Sequence, residues 1–422
     1  MKTLFGSLCV LALFSLSFSA FATEPYWNQF RGPNSDNRSA STGIATSWSE
    51  GGPKLLWKAE AMGSGWSTVS IYGDKLFTMG DFNTDGGVYC YVIAVNRKTG
   101  DEIWKTRIGR GGTVARDRYS GPLGTPATDG ESVFALSQMS DFVALNFNDG
   151  SIRWRMNTAD DLGAVRMAGW GFSMSPILDG DKVLLPVGGE GGTLAAFNKS
   201  DGALLWRTDW ITDRAAYTSA VPVVIEGVRQ YMLLTGERLV GVSTEGEFLW
   251  GAHFPGSRAV CSDPVIVGDV MMASCAYNVG AYFYRISKEG DSFRAVYFHG
   301  PDLTLQSHHG GIVAVGDYFY LLTGGRNRDL ACVRAATGEV VWRHPAVDSQ
   351  GSLTYVDGML ILRSEGDGGT IALVEATPQG YRERGRFYQP HRGNRSAWAY
   401  PVVFDNTLFI RDDNVLLAFD LN

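Results

Sequence analysis

Apolar and polar residues alternate in short runs along almost the whole chain, and Gly, Asn or Asp interrupts them every few positions. That pattern predicts strands joined by tight turns, with no amphipathic helical period to compete. One step recurs in register: AVNRKTGDEIW (94–104), ALNFNDGSIRW (144–154), AFNKSDGALLW (196–206), VSTEGEFLW (242–250) and VRAATGEVVW (333–342). Each copy reads as a strand, a turn in which Gly takes positive φ without steric cost, and a second strand that carries the Trp. Two further copies hold three more residues between Gly and aromatic and end at Tyr297 and Phe387. With Trp57 of PKLLW added, the aromatic anchors lie 44 to 52 residues apart, the period of a propeller blade.

A second element precedes each step: a hairpin such as STVSIYGDKLFTMG, MSPILDGDKVLLPVG or GGIVAVGDYFYLLTG, present in eight copies. Small residues gather where these hairpins begin, as they must where inner strands crowd an axis. The final copy, NVLLAFDLN (414–422), stops before its aromatic step, whereas PKLLWKAE (53–60) is a step without a hairpin. Joined, the two make one blade and remove two exposed strand edges. The expectation is an all-β, eight-bladed propeller over residues 53–422, closed by pairing of its N- and C-terminal strands. Trp57, Trp104, Trp154, Trp206, Trp250 and Trp342 are expected to dock blade on blade, each indole N–H reaching a backbone carbonyl.

Ahead of the ring, Lys2, the apolar run Leu4–Phe18 and the Ala20-Phe21-Ala22 step read as a signal peptide over 1–22, cleaved near Ala22. Residues 23–52, with Trp27, Phe30 and the turn-forming RGPN (31–34), read as an extension that packs on a propeller face. No later segment is long and apolar enough to span a bilayer. A periplasmic or secreted protein follows, expected to be a monomer. The formal net charge of −7 and the absence of Lys/Arg runs exclude a nucleic-acid partner. Of the cysteines beyond the leader, Cys261 and Cys275 flank a hairpin at Gly268-Asp269 and could oxidise to a disulfide or stay as two buried thiols.

The repeats, with Ala, a short polar residue, Thr/Asp-Gly and Trp in register, resemble the PQQ-like repeats of quinoprotein propellers over nearly all of the mature chain. Stretches such as QFRGPN, PKLLWK, HHGGIVAVGDY and ALVEATPQGY are most similar to exported PQQ-binding-like β-propeller repeat proteins. Quinoprotein alcohol dehydrogenases and the propeller lipoprotein of the outer-membrane β-barrel assembly machinery share the resemblance more distantly. It implies a quinoprotein-like β-propeller and, for an enzyme, pyrroloquinoline quinone (PQQ) with Ca²⁺. The chain departs from the dehydrogenases: no two cysteines are adjacent and no CxxCH is present. No Glu-Asn-Asp calcium set can be transferred residue by residue.

Propeller ligands bind at the mouth of the central channel, so the residues just before each inner strand are the candidates. They are Trp66, Arg116, Arg118, Tyr119, Trp170, Tyr217, Arg258, His308, His309 and Trp398, a set of aromatic faces and guanidinium groups suited to a planar or anionic small ligand. Asp117 and Asp263 are candidate bases or calcium ligands. His308 and His309 are adjacent, and on a strand they would face opposite sides, which argues against joint chelation and leaves no metal site assigned. The leading expectation is a ligand-binding or protein-interaction scaffold of the cell envelope. The alternative is a PQQ-dependent dehydrogenase of an alcohol, polyol or sugar.

Overall fold

The computed structural model describes residues 26–114, 121–325, 328–366, 368–393 and 395–422; the expected signal peptide over 1–22 lies outside them. Eight antiparallel sheets follow one another, each built on four strands from axis to rim. Blade 1 holds Ser70–Tyr72, Lys75–Thr84, Gly87–Asn96 and Glu102–Arg110, and blade 2 holds Ala127–Thr128, Ser132–Leu136, Asp141–Asn146 and Ile152–Asn157. The inner strands of blades 3 to 7 are Ile177–Asp179, Val221–Ile225, Val265–Val267, Ile312–Val315 and Gly351–Val356. Blade 8 takes Val402–Phe404, Thr407–Asp412 and Val415–Asp420 from the C-terminus and Leu55–Ala59 from the N-terminus. Trp57 pairs with Ala418 and Lys58 with Leu417, so the ring closes by pairing the two ends of the chain, as its repeats predict.

The recurring glycine answers to the blade behind it as much as to its own turn. Gly100, Gly150, Gly202 and Gly246 all have positive φ, and a Cβ on each would strike the ring of Trp57, Trp104, Trp154 and Trp206 respectively, the aromatic anchor of the preceding blade. The indole N–H then reaches past the turn: Trp57 Nε1 donates to Arg97 O at 3.0 Å, Trp154 to Lys199 O at 2.9 Å and Trp342 to Thr377 O at 2.9 Å. The closing junction repeats the device, with Phe387 of blade 7 lying on Gly52, just ahead of the blade 8 rim strand.

Three anchors depart from the expected pattern. Trp250 donates within its own blade, to Gln230 Oε1 at 2.5 Å, and shares an apolar cluster with Ile286 and Phe293 of blade 5. Trp206 Nε1 has no partner among the described residues, because Trp210 Nε1 takes the Gly246 carbonyl at 2.8 Å. In blade 5 the rim strand Ser292–Asp302 carries register shifts, so His299 rather than Tyr297 covers Gly338 of the next blade, and Tyr297 is left exposed.

Residues 26–39 run across the channel and pair with the inner edges of the ring. An inner strand facing the axis leaves a row of backbone groups unpaired, and this segment meets them in turn. Trp27 pairs with Ile71 of blade 1, Thr128 N of blade 2 donates to Asn28 O at 2.8 Å, and Leu178 N of blade 3 donates to Gln29 Oε1 at 2.8 Å. Arg31, 2% exposed, donates to Ile312 O of blade 6 at 2.7 Å and lies 3.5 Å from the buried Asp263 carboxylate of blade 5. Asn37 donates to Leu353 O, and Arg38–Ser39 adds a parallel strand to blade 7. The segment is a transverse plug.

The glycine–aromatic contact can be tested inside one molecule. Gly290 occupies the same repeat position as Gly150, also at positive φ, but nothing lies within 4 Å of a Cβ there, whereas at Gly150 a Cβ would stand 2.5 Å from the Trp104 ring. Gly290→Ala is expected to cost only the left-handed backbone, about 1–2 kcal/mol. Gly150→Ala is expected to cost roughly a further 1–3 kcal/mol from overpacking. Urea unfolding midpoints of the two variants check the difference.

Candidate active site at the channel mouth

Where the inner strands begin, a cavity of about 310 Å³ opens on the axis. Every blade supplies wall: Trp66 from blade 1, Thr125 from blade 2, Trp170 and Ser173 from blade 3, Tyr217 from blade 4, Cys261 and Tyr277 from blade 5, His308 and His309 from blade 6, Gln350 and Glu365 from blade 7, and Trp398 and Tyr400 from blade 8. Phe30 of the transverse plug joins the lining, edge-on to Tyr400 at 5.2 Å.

Trp66, Trp170, Tyr217, His308, His309 and Trp398, singled out by position before an inner strand, all line this cavity. Arg258 does not: it is exposed, its guanidinium 4.7 Å from the Tyr277 ring centroid. Asp263 does not either. Its carboxylate is engaged by Arg31 and by the Ser219 N–H at 2.9 Å, which makes it the anchor of the plug rather than a free base. Arg116, Asp117, Arg118 and Tyr119 lie outside the described residues.

The sequence reading missed Tyr277, Gln350 and Glu365. A hairpin returns the end of its second strand to the mouth where its first strand began, so Tyr277 and Glu365, which follow Val270–Cys275 and Met359–Ser364, arrive at the cavity as well. Gln350 immediately precedes the inner strand Gly351–Val356, the same position as the six residues above, but an amide there carries no aromatic or charged signal. Tyr277 sits at φ 61°, with Asn278 at 65° beside it, a left-handed pair that a bulky side chain rarely adopts.

Part of the wall is hydrogen-bonded into a network, in which Gln350 Nε2 and His308 Nδ1 lie 3.3 Å apart. Trp66 and Trp398 stack at 4.8 Å with 28° between planes, Trp66 Nε1 donating to Ser396 O at 2.9 Å. Trp398 Nε1 donates to Glu365 Oε2 at 2.7 Å and Gln350 Nε2 to Glu365 Oε1 at 2.6 Å. Tyr277 Oη and His308 Nε2 lie 2.8 Å apart, and His308 Nδ1 lies 3.1 Å from His309 Nδ1. Opposite-facing imidazoles were expected from a strand, but residues 308–310 form a bend ahead of Ile312–Val315, so both rings enter one network. Burial, with the neighbouring His309 next, pushes His308 down to about 4, and burial with the nearby Arg363 pushes His309 down to about 3. Both imidazoles are therefore neutral at pH 7.

Cys261 and Cys275 are free thiols. Cys261 precedes the strand Val265–Val267 instead of lying within the ladder, and the Cys275 thiol donates to Ala259 O at 3.2 Å, away from a bridge. Burial raises both thiols, Cys275 to about 12, so neither is a thiolate at neutral pH. Among the described residues no group of three or more His, Cys, Asp and Glu is placed to hold a metal ion.

The family model described as outer membrane protein assembly factor BamB matches residues 41–166, 90–302 and 294–379. The chain belongs to that family of PQQ-like β-propellers. Compared by sequence with curated proteins, it has no significant match. Among solved structures it is similar to BamB from Moraxella catarrhalis, at 13% identity and TM-score 0.56, over 87% of this chain and 97% of that one. It is also similar to the quinohemoprotein alcohol dehydrogenase ADHIIG from Pseudomonas putida HK5, at 12% identity and TM-score 0.64, over 94% of this chain and 80% of that one. A europium-containing methanol dehydrogenase matches at 12% identity and TM-score 0.63, over 92% and 89% of the two chains. At such identities the likeness speaks for the eight-bladed fold alone.

The neutral histidines set a pH dependence. Their folded-state values lie below the ordinary imidazole value of 6.5, so the unfolded chain takes up protons first as pH falls. Their contribution to stability is complete above pH 6.5 and is lost progressively as pH drops from there toward 4 and below. His308→Gln/His309→Gln is expected to flatten the fall of Tm between pH 6.5 and 4 relative to the native protein, read by calorimetry at half-unit steps.

Proposed function

We propose that this chain is an exported, cell-envelope propeller whose axial cavity binds a small ligand, the ring serving as a binding scaffold. The observation that carries the reading is the cavity itself. It is walled by aromatic rings from several blades, it has a few convergent polar groups, and Phe30 of the plug completes its lining. Its volume lies at the lower end of ordinary ligand pockets. The apolar leader at residues 1–22 and a family named for outer-membrane protein assembly support the envelope location. No helix among the described residues is long and apolar enough to cross a membrane. The rim and faces of the ring remain available to an envelope protein.

The dehydrogenases that share the fold imply PQQ with calcium, and the lining residues do not fit that group. Calcium needs six or more oxygen ligands, several of them carboxylate. Among the described residues the wall offers one carboxylate, Glu365, and both of its oxygens already accept hydrogen bonds from Trp398 and Gln350.

Two measurements test the reading. Titration of the calcium-loaded protein with PQQ is expected to give no saturable absorbance change and no alcohol-dependent dye reduction; turnover would restore the dehydrogenase. Ser173→Phe places a ring in the cavity wall and is expected to abolish small-ligand thermal shifts while the ligand-free Tm stays within a few degrees. Equal shifts in the native protein and this variant would place the ligand elsewhere.

A further inference from the structure

We propose that the axial cavity takes its ligand apolar end first, and that Phe30, at the tip of the transverse plug, sets how deep that end can go. The inference rests on the reading of this cavity as a ligand site and adds the residue that decides the size of what it holds.

The QFRG step (29–32) is the starting point. It forms a four-residue turn closed by Gly32 N donating to Gln29 O at 3.0 Å, with Arg31 at φ 63° in the third position, where glycine is usual. A non-glycine residue in that conformation costs backbone energy and persists only where its surroundings hold it. Three of the four residues supply the hold. Gln29, 1% exposed, accepts from Leu178 N of blade 3, and Arg31, 2% exposed, donates to Ile312 O of blade 6 and pairs with Asp263 of blade 5. Gly32 is buried against Trp27, where a Cβ would lie 3.3 Å from the ring. Of the four, only Phe30 is left half-buried, and it lines the cavity.

The same contacts make Phe30 the inner end of the site. Leu178 and Ile312 belong to inner strands, whereas the lining residues Trp66, Tyr217, His308 and His309 precede theirs, so chain anchored on those strands closes the cavity from within. Phe30 meets Tyr400 edge-on with centroids 5.2 Å apart, and Tyr400 is itself held in place. Its Oη donates to His309 O at 2.5 Å and lies 2.7 Å from where a Cβ on Gly311 would stand. That bond spends the hydroxyl, and Thr68 Oγ1 is likewise spent on Tyr400 O at 2.7 Å. The floor therefore offers ring surface, which gains from covering methyl and methylene groups and gives nothing back to a polar group that loses water.

The test is the chain length at which binding of linear primary alcohols, from butanol to decanol, stops improving, measured by calorimetry on the full native chain and on Phe30→Ala, Phe30→Leu and Phe30→Trp. Affinity is expected to rise about fourfold for each methylene buried and to level off where the alkyl chain reaches the floor. Phe30→Ala is expected to move that point by about two carbons or more toward longer alcohols, Phe30→Leu by less, and Phe30→Trp toward shorter ones. Phe30→Leu carries the comparison if Phe30→Ala fails to fold. Levelling off at the same carbon in all four proteins would overturn the role of Phe30 and leave the cavity a ligand site. Affinity that climbs with length throughout in the native protein would overturn it too. If no alcohol binds saturably to any of the four, both this inference and the ligand-site reading fall.

Discussion

The fold depends on how closely one blade can approach the next, and that distance is set where an aromatic ring lies flat on a glycine. At Gly100, Gly150, Gly202 and Gly246 a single methyl group would occupy the space of the preceding blade's indole. The same glycines carry positive φ, so one residue type meets a steric and a conformational demand together. Neither demand alone explains the repeat, since Gly290 has the backbone but no ring above it. Because the contact recurs from blade 8 to blade 1 and from blade 7 to blade 8, no junction has to be invented for closure. The first rim strand simply takes its place on Phe387 and beside Val415–Asp420.

This is why the ring was legible in the sequence. Local chemistry is repeated, and repetition converts a weak motif into a period. The departures mark where local pattern stops being sufficient. Tyr297 occupies the expected slot, yet a shift of register hands the contact to His299, and nothing in the spacing of aromatics distinguishes the two. Trp250 keeps its place in the pattern while its N–H turns inward to Gln230, because that amide happens to lie within reach on the same sheet.

The candidate site was legible in part, for a geometric reason. Residues preceding an inner strand converge on the axis, and six chosen on that basis meet in one cavity. Tyr277 and Glu365 arrive from the opposite end of the hairpins, and Phe30 from a segment that belongs to no blade. Asp263 illustrates the limit. A buried carboxylate near an axis reads as a base or a metal ligand until Arg31, more than two hundred residues earlier, is seen to pair with it. No local pattern carries that pairing, since it exists only once the N-terminal segment has crossed the channel.

That crossing has a consequence for the character of the site. An eight-bladed ring leaves inner edges whose N–H and C=O groups face an open channel, and something must satisfy them. Here residues 26–39 do so, pairing with blades 1, 2, 3, 6 and 7 and anchoring through Arg31 on Asp263 of blade 5. Filling the axis with chain in this way turns a channel into a cavity at the mouth where the inner strands begin. Among the described residues, what faces the cavity is then mostly ring surface, with Glu365 as the one carboxylate in its wall.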